Sequence, residues 1–158
     1  MTMAKTLQRH LKVVGCRYTL VTHPHAGSSM ETAEIAHVPG DALAKGVVLR
    51  DEAGLLLVVV PSDYHVELDA LNELLGRNLE LVAEEEFSEI FPDCEPGAIP
   101  PVGAAYSIGT LWDPEASLGV QEKVYFEAGD HLTLVRVSGK QFHELMAEAD
   151  RAHFSSHI

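Results

Sequence analysis

The sequence predicts a single α+β domain, residues 1–158, with a curved, mixed or mostly antiparallel sheet flanked by helices. Short apolar and β-branched runs alternate with segments of helical periodicity, and turns rich in glycine, proline and aspartate separate them. The chain has 158 residues, of which 46% are hydrophobic and 22% charged, which suits one globular domain with a core. No internal repeat, low-complexity tract or linker suggests a second domain.

The N-terminal part of the chain predicts two helices with a strand between them. Apolar residues at spacings of four and three predict an amphipathic helix over 3–14, and the β-branched run 18–22 predicts a short strand. Ser28 or Ser29 can cap a second helix that stops before Pro39, and Glu31 stands at capping-box distance from Ser28.

The middle of the chain predicts a hairpin followed by a helix. Two apolar runs, 44–49 and 55–60, flank a turn that contains aspartate and glycine, and the second run should lie in the core. Residues 66–75 place their apolar side chains on one helical face. A short strand is expected at 79–82, and the acidic start of 84–90 favours a helical turn.

The C-terminal part predicts most of the remaining sheet. Residues 91–103 should form a loop, 141–152 a closing helix, and 154–158 a frayed tail. Three further strands are expected, at 106–111, 123–128 and 132–137.

The charge of the chain argues against broad binding of a nucleic-acid backbone. Its 11 basic and 24 acidic residues give a net charge of −13, and an acidic surface repels phosphates. Residues 1–30 nevertheless carry four basic residues and no acidic one, so one face can tolerate an anion; the alternative is an ordinary solvated helix face. The four residues are Lys5, Arg9, Lys12 and Arg17.

The N-terminal segment and the cysteines predict a cytoplasmic protein. Polar and basic residues interrupt the first thirty positions, which therefore hold neither an 18-residue apolar stretch nor a signal-peptide pattern. Cys16 and Cys94 form neither a CxxC motif nor a zinc-ligand spacing, so we expect two reduced structural thiols. No membrane partner is expected.

Lys45 and the segment 97–103 are the strongest indications of a site. Lys45 stands at the head of an apolar strand, and a buried ammonium costs several kcal/mol unless something pairs with it. The glycines of 97–103 allow a close approach of the backbone to a ligand, and its prolines stiffen the loop. Together they predict a pocket for a small molecule or the end of a nucleotide chain.

Other catalytic chemistries find no support in the sequence. His143 and Glu144 begin like a zinc-protease H-E-x-x-H motif, but Ala147 stands in place of the second histidine. His153 and His157 are four residues apart, and two ligands alone do not make a structural metal site. No G-x-S-x-G nucleophile elbow occurs. We therefore expect no metal and no cofactor.

Lys45 and the proline loop belong to an ordered set of segments that resembles the YbaK/EbsC family. This aminoacyl-tRNA editing domain occurs free-standing and as an insertion in bacterial prolyl-tRNA synthetases. The resemblance covers nearly the whole chain and implies the barrel-like curved sheet of that family. The matching segments are 18, 23–24, 28–36, 38–45, 59–63, 66–68, 91–103, 126–131 and 142.

The resemblance implies hydrolysis, without a metal, of the ester that joins a wrong amino acid to tRNA. Lys45 corresponds to the family's essential lysine, and Gly97 and Pro101 to the ends of its G-x-x-x-P loop. In the family, main-chain groups of this loop hold the aminoacyl end, and the 2′-hydroxyl of the terminal ribose helps to activate water. Preorganised backbone donors of this kind can stabilise a developing oxyanion.

Further residues are expected around the substrate. Tyr18 can stack on the terminal adenine or donate its hydroxyl to the cleft. The expected substrate contacts are Tyr18, His23, Ala98, Ile99, Pro100, Gly129 and His131. Glu127 takes the place of a serine that some members carry, and a non-acidic residue takes the place of an aspartate, so the edited amino acid stays open.

The implied partners are the aminoacylated CCA end of tRNA and an aminoacyl-tRNA synthetase that delivers it; DNA is not expected. A synthetase cannot exclude a similar amino acid by binding alone, so a second, hydrolytic site has a reason to exist. Two alternatives stay open. One is a binding module of the same fold without catalysis, and the other is a metal-dependent hydrolase built from the histidines.

Overall fold

The computed structural model describes residues 3–26 and 28–158, in which five α-helices and ten strands follow one another. Residues 1, 2 and 27 of the predicted domain lie outside the described residues. The helices are α1 (Lys5–Val13), α2 (Ser29–Ile35), α3 (Leu68–Leu75), α4 (Phe87–Ile90) and α5 (Gly139–Leu145). The strands are β1 (Thr19–Thr22), β2 (Leu43–Asp51), β3 (Gly54–Pro61), β4 (Tyr64–Val66), β5 (Glu80–Leu81), β6 (Thr110–Trp112), β7 (Lys123–Glu127), β8 (Thr133–Ser138), β9 (Asp150–Arg151) and β10 (Ser155–His157).

Eight of these strands form one mixed sheet. Its order is β1-β8-β7-β2-β3-β6-β9, and β5 pairs with β2 outside this path. The pairs β2·β7, β3·β6 and β6·β9 are parallel, and the other strand pairs of the sheet are antiparallel. Strands β4 and β10 form a separate antiparallel pair. The prediction of an α+β domain with a mixed, mostly antiparallel sheet is confirmed.

The hairpin of β2 and β3 is the centre of the sheet. Its strands pair from Ala44 with Pro61 to Asp51 with Gly54, and the last five residues of β3 are buried. An apolar run that is buried on both faces suits a strand with neighbours on either side. The guanidinium of Arg77 holds the turn because its Nε donates to Asp51 Oδ2 at 2.9 Å.

Local sequence signals explain the two N-terminal helices. Leu7 and Leu11 of α1 are buried, as their helical spacing predicts. Ser28 caps α2, since its Oγ accepts a hydrogen bond from the backbone N–H of Glu31 at 3.1 Å. Both helix predictions are confirmed.

Three elements of secondary structure differ from the expectation. The strand expected at 106–111 is shorter, because Gly103–Tyr106 form a 3-10 turn before β6. The helix expected over 141–152 ends at Leu145, and residues 150–151 pair with β6 as β9. Strand β4 was not expected.

The tail 154–158 is not frayed, and this correction has a clear physical cause. The buried carboxylate of Asp113 accepts hydrogen bonds from the backbone N–H groups of Phe154 and Ser155, at 3.0 and 3.2 Å. The Phe154 side chain is buried, and β10 pairs with β4. An acceptor 41 residues away in sequence fixes this segment, and local sequence cannot reveal it.

Among the described residues, none of the helices has both the length and the apolar character needed to cross a membrane.

Candidate functional site

A cavity of about 290 Å³ lies beside the middle of the sheet. Strand β2 forms its floor, the start of α2 and the segment from β5 to α4 form two walls, and the glycine-proline loop closes a third side. The residues that matter for its chemistry are Ser28, Lys45, Glu84, Phe87, Gly97, Ile99 and Glu127. The structure therefore brings together the predicted lysine and the predicted loop.

Lys45 supplies a half-buried cation to this cavity. Its Nζ donates to the backbone carbonyl of Ser62 at 3.4 Å, and it has no other hydrogen bond within the described residues. An ammonium carries three hydrogens, so two donors stay available for a ligand. Burial lowers the pKa of Lys45, and the negative charge of Asp63 opposes this effect. Lys45 can therefore act as a fixed donor and positive charge.

Two glycines shape the loop beside Lys45. Gly97 has φ +85°, a backbone conformation that side chains rarely adopt, and a Cβ there would lie 3.1 Å from Cε1 of His131. Gly46 follows Lys45 on β2, and a Cβ there would lie 2.9 Å from Leu57 Cδ1 and 3.4 Å from the Cα of Pro101. The missing side chain of Gly46 thus lets the loop pack directly on the strand that carries Lys45.

A buried carboxyl group and a buried imidazole meet at the edge of the cavity. Glu127 Oε1 lies 3.7 Å from His23 Nε2, and their side chains are 8% and 0% exposed. His23 Nδ1 lies 2.7 Å from the carbonyl oxygen of Pro24, which can only accept, so Nδ1 carries a hydrogen. When the ring is neutral, Nε2 presents a lone pair towards Glu127, and the 3.7 Å between Nε2 and Oε1 is longer than a hydrogen bond.

The surroundings of Glu127 favour the protonated form of its carboxyl group. Burial raises the pKa of Glu127 to about 7; a hydrogen bond from Thr32 lowers it, and the charge of Asp130 raises it further. Glu127 Oε2 and His23 Nε2 have no hydrogen-bond partner within residues 3–26 and 28–158. Glu127 therefore offers the cavity a polar group that can bind a ligand in either protonation state.

His131 stabilises the loop rather than lining the cavity. Its Nε2 donates to the carbonyl of Pro96 at 2.7 Å, and its ring lies against Gly97. The His25 and His131 rings are 4.9 Å apart between centroids. His131 is thus one contact removed from the pocket and holds the loop in place.

The remaining predicted residues of the loop, which include Pro101 from the catalytic set, divide into two groups. Ile99 lines the cavity, whereas Ala98, Pro100 and Pro101 are buried in the loop behind it. Gly129 supports the loop because its carbonyl accepts from the N–H of Glu95 at 2.8 Å. These residues form the loop, and Gly97 and Ile99 are the loop residues that line the cavity.

Tyr18 and the cysteines lie away from Lys45. Tyr18 lines a separate groove with Lys123, at the other end of β7. Cys16 and Cys94 are free cysteines, as expected. Burial raises the pKa of Cys16 to about 11 and that of Cys94 to about 12, so neither thiol is an activated nucleophile.

Two groups of the described residues offer atoms of the kind that bind metals. The first group consists of His25, Glu95 and His131, whose possible ligand atoms lie within 4.8 Å of one another. None of these three residues lines the cavity. The second group is Asp113, Glu115 and His153. Hydrogen bonds already engage Asp113 Oδ2 and one nitrogen of His131, so both groups have a structural role in the fold.

The sequence did not indicate the Glu127–His23 pair. The two residues are more than a hundred positions apart, and a lone glutamate at a strand end gives no signal of burial. The one hint was the departure of Glu127 from the serine that the family resemblance led us to consider at this position. Ser28, at the start of α2, was predicted as a helix cap and was missed as a residue of the cavity wall.

A half-buried ammonium, a buried carboxyl group and a constrained backbone loop define a binding site for a small polar molecule within an α+β domain. The chain belongs to the aminoacyl-tRNA editing domain family, whose model matches residues 23–145. This match spans the lysine strand, the loop and Glu127, and it confirms the family expected from the sequence.

Solved structures share this fold over the full length of the chain. A candidate trans-editing enzyme for prolyl-tRNA synthetase aligns with TM-score 0.81 and 24% identity, covering 97% of this chain and 96% of that one. Hypothetical protein APE2540 aligns with TM-score 0.81 and 24% identity, covering 96% and 100%. A candidate signal transduction protein from Marinobacter aquaeolei VT8 aligns with TM-score 0.70 and 23% identity, covering 95% and 30%. A search of curated proteins finds no match for this chain.

Proposed function

We propose that this protein is an aminoacyl-tRNA deacylase of the cytoplasm, which hydrolyses the ester of mischarged tRNA. The observation that carries the proposal is the direct packing of the glycine-proline loop on the strand of Lys45, at one cavity, in a chain of the editing-domain family. Delivery of the substrate by a synthetase is part of the proposal, and prolyl-tRNA synthetase is the first partner to test.

Lys45 would position the ester and stabilise negative charge. Lys45 lines the cavity, and a fixed cation near a developing oxyanion lowers the barrier without moving. Burial lowers the pKa of Lys45, and the negative charge of Asp63 opposes this shift because it favours the ammonium form. Lys45 is therefore a charge that binds the substrate rather than a general base.

The backbone near Gly97 would hold the reacting carbonyl. Gly97 exposes its main chain without a side chain, and the hydrogen bond from His131 to Pro96 fixes the conformation of the residues before it. Backbone donors held in this way need no reorganisation in the transition state, and one such donor is worth about 3 kcal/mol. The metal-independent route, in which the terminal ribose 2′-hydroxyl activates the water, is the one that the family resemblance implies.

Glu127 would contact the amino-acid part of the substrate. Its carboxyl group lines the cavity, and Oε2 lacks a partner within the described residues. As a carboxylate it can accept hydrogen bonds from an α-ammonium group, and as an acid it can also donate. A site with a buried polar group discriminates strongly against ligands that leave that group unpaired.

The test is release of amino acid from a panel of correctly and wrongly charged tRNAs, in the presence of a metal chelator. We expect rapid loss of one mischarged species and no loss of correctly charged tRNA. The same mischarged tRNA with a terminal 2′-deoxyadenosine should be hydrolysed far more slowly. Chelator-sensitive hydrolysis would contradict the metal-independent route.

A binding module without catalysis is the alternative, and the resemblance favours it because Glu127 stands where some members of the family carry serine. It predicts that the panel stays intact even at high enzyme concentration. It also predicts binding of a stable analogue, an aminoacyl amide of 3′-amino-3′-deoxyadenosine. Tight binding without hydrolysis of any ester would replace the deacylase proposal with this one.

A further inference from the structure

A second cavity, a groove of about 510 Å³, lies between the ends of β7 and β8 and the start of α5. Basic side chains dominate its lining, and a tyrosine stands among them. The residues that define the basic groove are Arg17, Tyr18, Glu122, Lys123, Arg136 and Lys140.

The charge of the basic groove is opposite to that of the molecule. It contains four of the 11 basic residues of the chain and one of the 24 acidic residues, which gives +3. The remaining 7 basic and 23 acidic residues give −16. Such a local reversal of sign attracts an anion to one place on a surface that repels it elsewhere.

These four cations have no ion-pair partner in the part of the chain that the structure describes. Two of the four arginines outside the groove are in ion pairs: Arg50 lies 2.8 Å from Glu86, and Arg77 lies 2.6 Å from Asp51. Four unpaired like charges in one groove repel one another, which weakens the folded state. An anionic ligand would relieve that repulsion.

The sheet connects the basic groove to the cavity of Lys45. Lys123 and Glu127 stand at the two ends of β7, and alternate residues of a strand face the same side, so both point to one face of the sheet. Four residues of strand span about 13 Å. Arg136 is the cross-strand partner of both Tyr125 and Thr19, which places it on this face too.

We propose that the basic groove binds the phosphodiester backbone of the tRNA acceptor end while the 3′ end occupies the Lys45 cavity. The RNA would pass beside α2, which packs over Tyr125 between the two sites. A row of cations that includes two arginines, next to a half-buried aromatic ring, is the arrangement that holds a nucleic-acid strand. Tyr18 then stacks on a base in the groove, away from the ester. This inference rests on the proposed function.

The test is binding of an uncharged RNA minihelix that carries the acceptor stem and the CCA end. Arg136→Glu and Lys140→Glu are compared with Arg151→Glu, which makes the same change of charge on β9, at the opposite edge of the sheet. We expect each groove variant to weaken binding about 10-fold or more, and Arg151→Glu by less than about 2-fold. The slope of log K against log[salt] should fall by about one for each phosphate contact removed.

A kinetic comparison separates this inference from the deacylase proposal. We expect the ratio of kcat/KM for an aminoacyl minihelix to that for an aminoacyl ester of adenosine to fall in the groove variants. If wild type hydrolyses neither ester, the deacylase proposal fails and minihelix binding alone decides on the groove. If Arg136→Glu and Lys140→Glu, both folded by circular dichroism, bind the minihelix as Arg151→Glu does, the inference is wrong. Lys140 is exposed, so its variant should fold even where Arg136→Glu does not.

Discussion

The replacement Glu127→Gln should change how the stability of the protein depends on pH. The glutamine keeps the size of the side chain and its hydrogen-bonding capacity, but it cannot ionise. Glu127 in the folded protein holds its proton up to a pH near 7, because burial raises its pKa to about 7. The unfolded chain releases the same proton near pH 4.5, the ordinary value for glutamate.

The expected magnitude follows from this difference. Between pH 4.5 and 7 the native state binds more protons at Glu127 than the unfolded state does, so wild-type stability falls as pH rises through this window. A pKa that rises from 4.5 to about 7 on folding corresponds, at about 1.4 kcal/mol for each pH unit, to about 3 kcal/mol. This destabilisation is absent below pH 4.5 and complete above pH 7. Glu127→Gln removes it.

The assay is urea unfolding of both proteins at about pH 5 and pH 8. Relative to wild type, Glu127→Gln should gain about 2–3 kcal/mol in the free energy of unfolding between these conditions. Other titrating groups occur in both proteins, so their effects on the free energy of unfolding cancel in the comparison. Glu85→Gln, at an exposed position, serves as the control and should show no such gain. If wild type and Glu127→Gln respond to pH in parallel, the reasoning that burial keeps a proton on Glu127 is refuted.

Three further substitutions test the fold around the site, each by urea unfolding. Gly97→Ala should lower the free energy of unfolding by about 1–2 kcal/mol, because Gly97 has a positive φ. The loss should be larger than for Gly15→Ala, since Gly15 also has a positive φ, of +70°, but a Cβ there would meet nothing within 4 Å, whereas a Cβ at Gly97 would meet His131. Equal losses would contradict the packing of the loop. Ser28→Ala should cost about 1 kcal/mol through loss of the α2 cap, and an unchanged stability would exclude the capping bond. Asp113→Ala should lower the free energy of unfolding by about 3 kcal/mol, because the buried N–H groups of the tail lose their acceptor. Proteolysis of this variant should then remove residues near 154–158. Unchanged stability together with an uncleaved tail would show that the tail is held in another way.

Local sequence patterns predicted the parts of this fold that local forces determine. The hairpin of β2 and β3 followed from two apolar runs around a turn, and the start of α2 followed from the spacing of Ser28 and Glu31. The tail was mispredicted because its partner, Asp113, is remote in sequence. Periodicity reports which face of an element is apolar, and it carries no information about a distant acceptor.

The same distinction applies to the site. Lys45 was identified because a charge in an apolar strand is anomalous on its own, and the loop because glycine and proline constrain backbone wherever they occur. The pairing of His23 with Glu127 depends on the register of β7 and on a loop after β1, so only the folded chain reveals it. The basic groove likewise collects Arg17, Lys123 and Arg136 from separate segments of the chain.

The most direct test of the central claim is hydrolysis of a mischarged tRNA by wild type, Lys45→Met and Lys5→Met under single-turnover conditions. Methionine keeps most of the apolar stem of Lys45 and removes its ammonium, and Lys5 is an exposed lysine of α1. We predict hydrolysis of one mischarged species by wild type and by Lys5→Met, and a loss of about 100-fold or more in Lys45→Met. Equal rates in Lys45→Met and wild type would contradict the assignment of the site, and hydrolysis by none of the three would contradict the deacylase function itself.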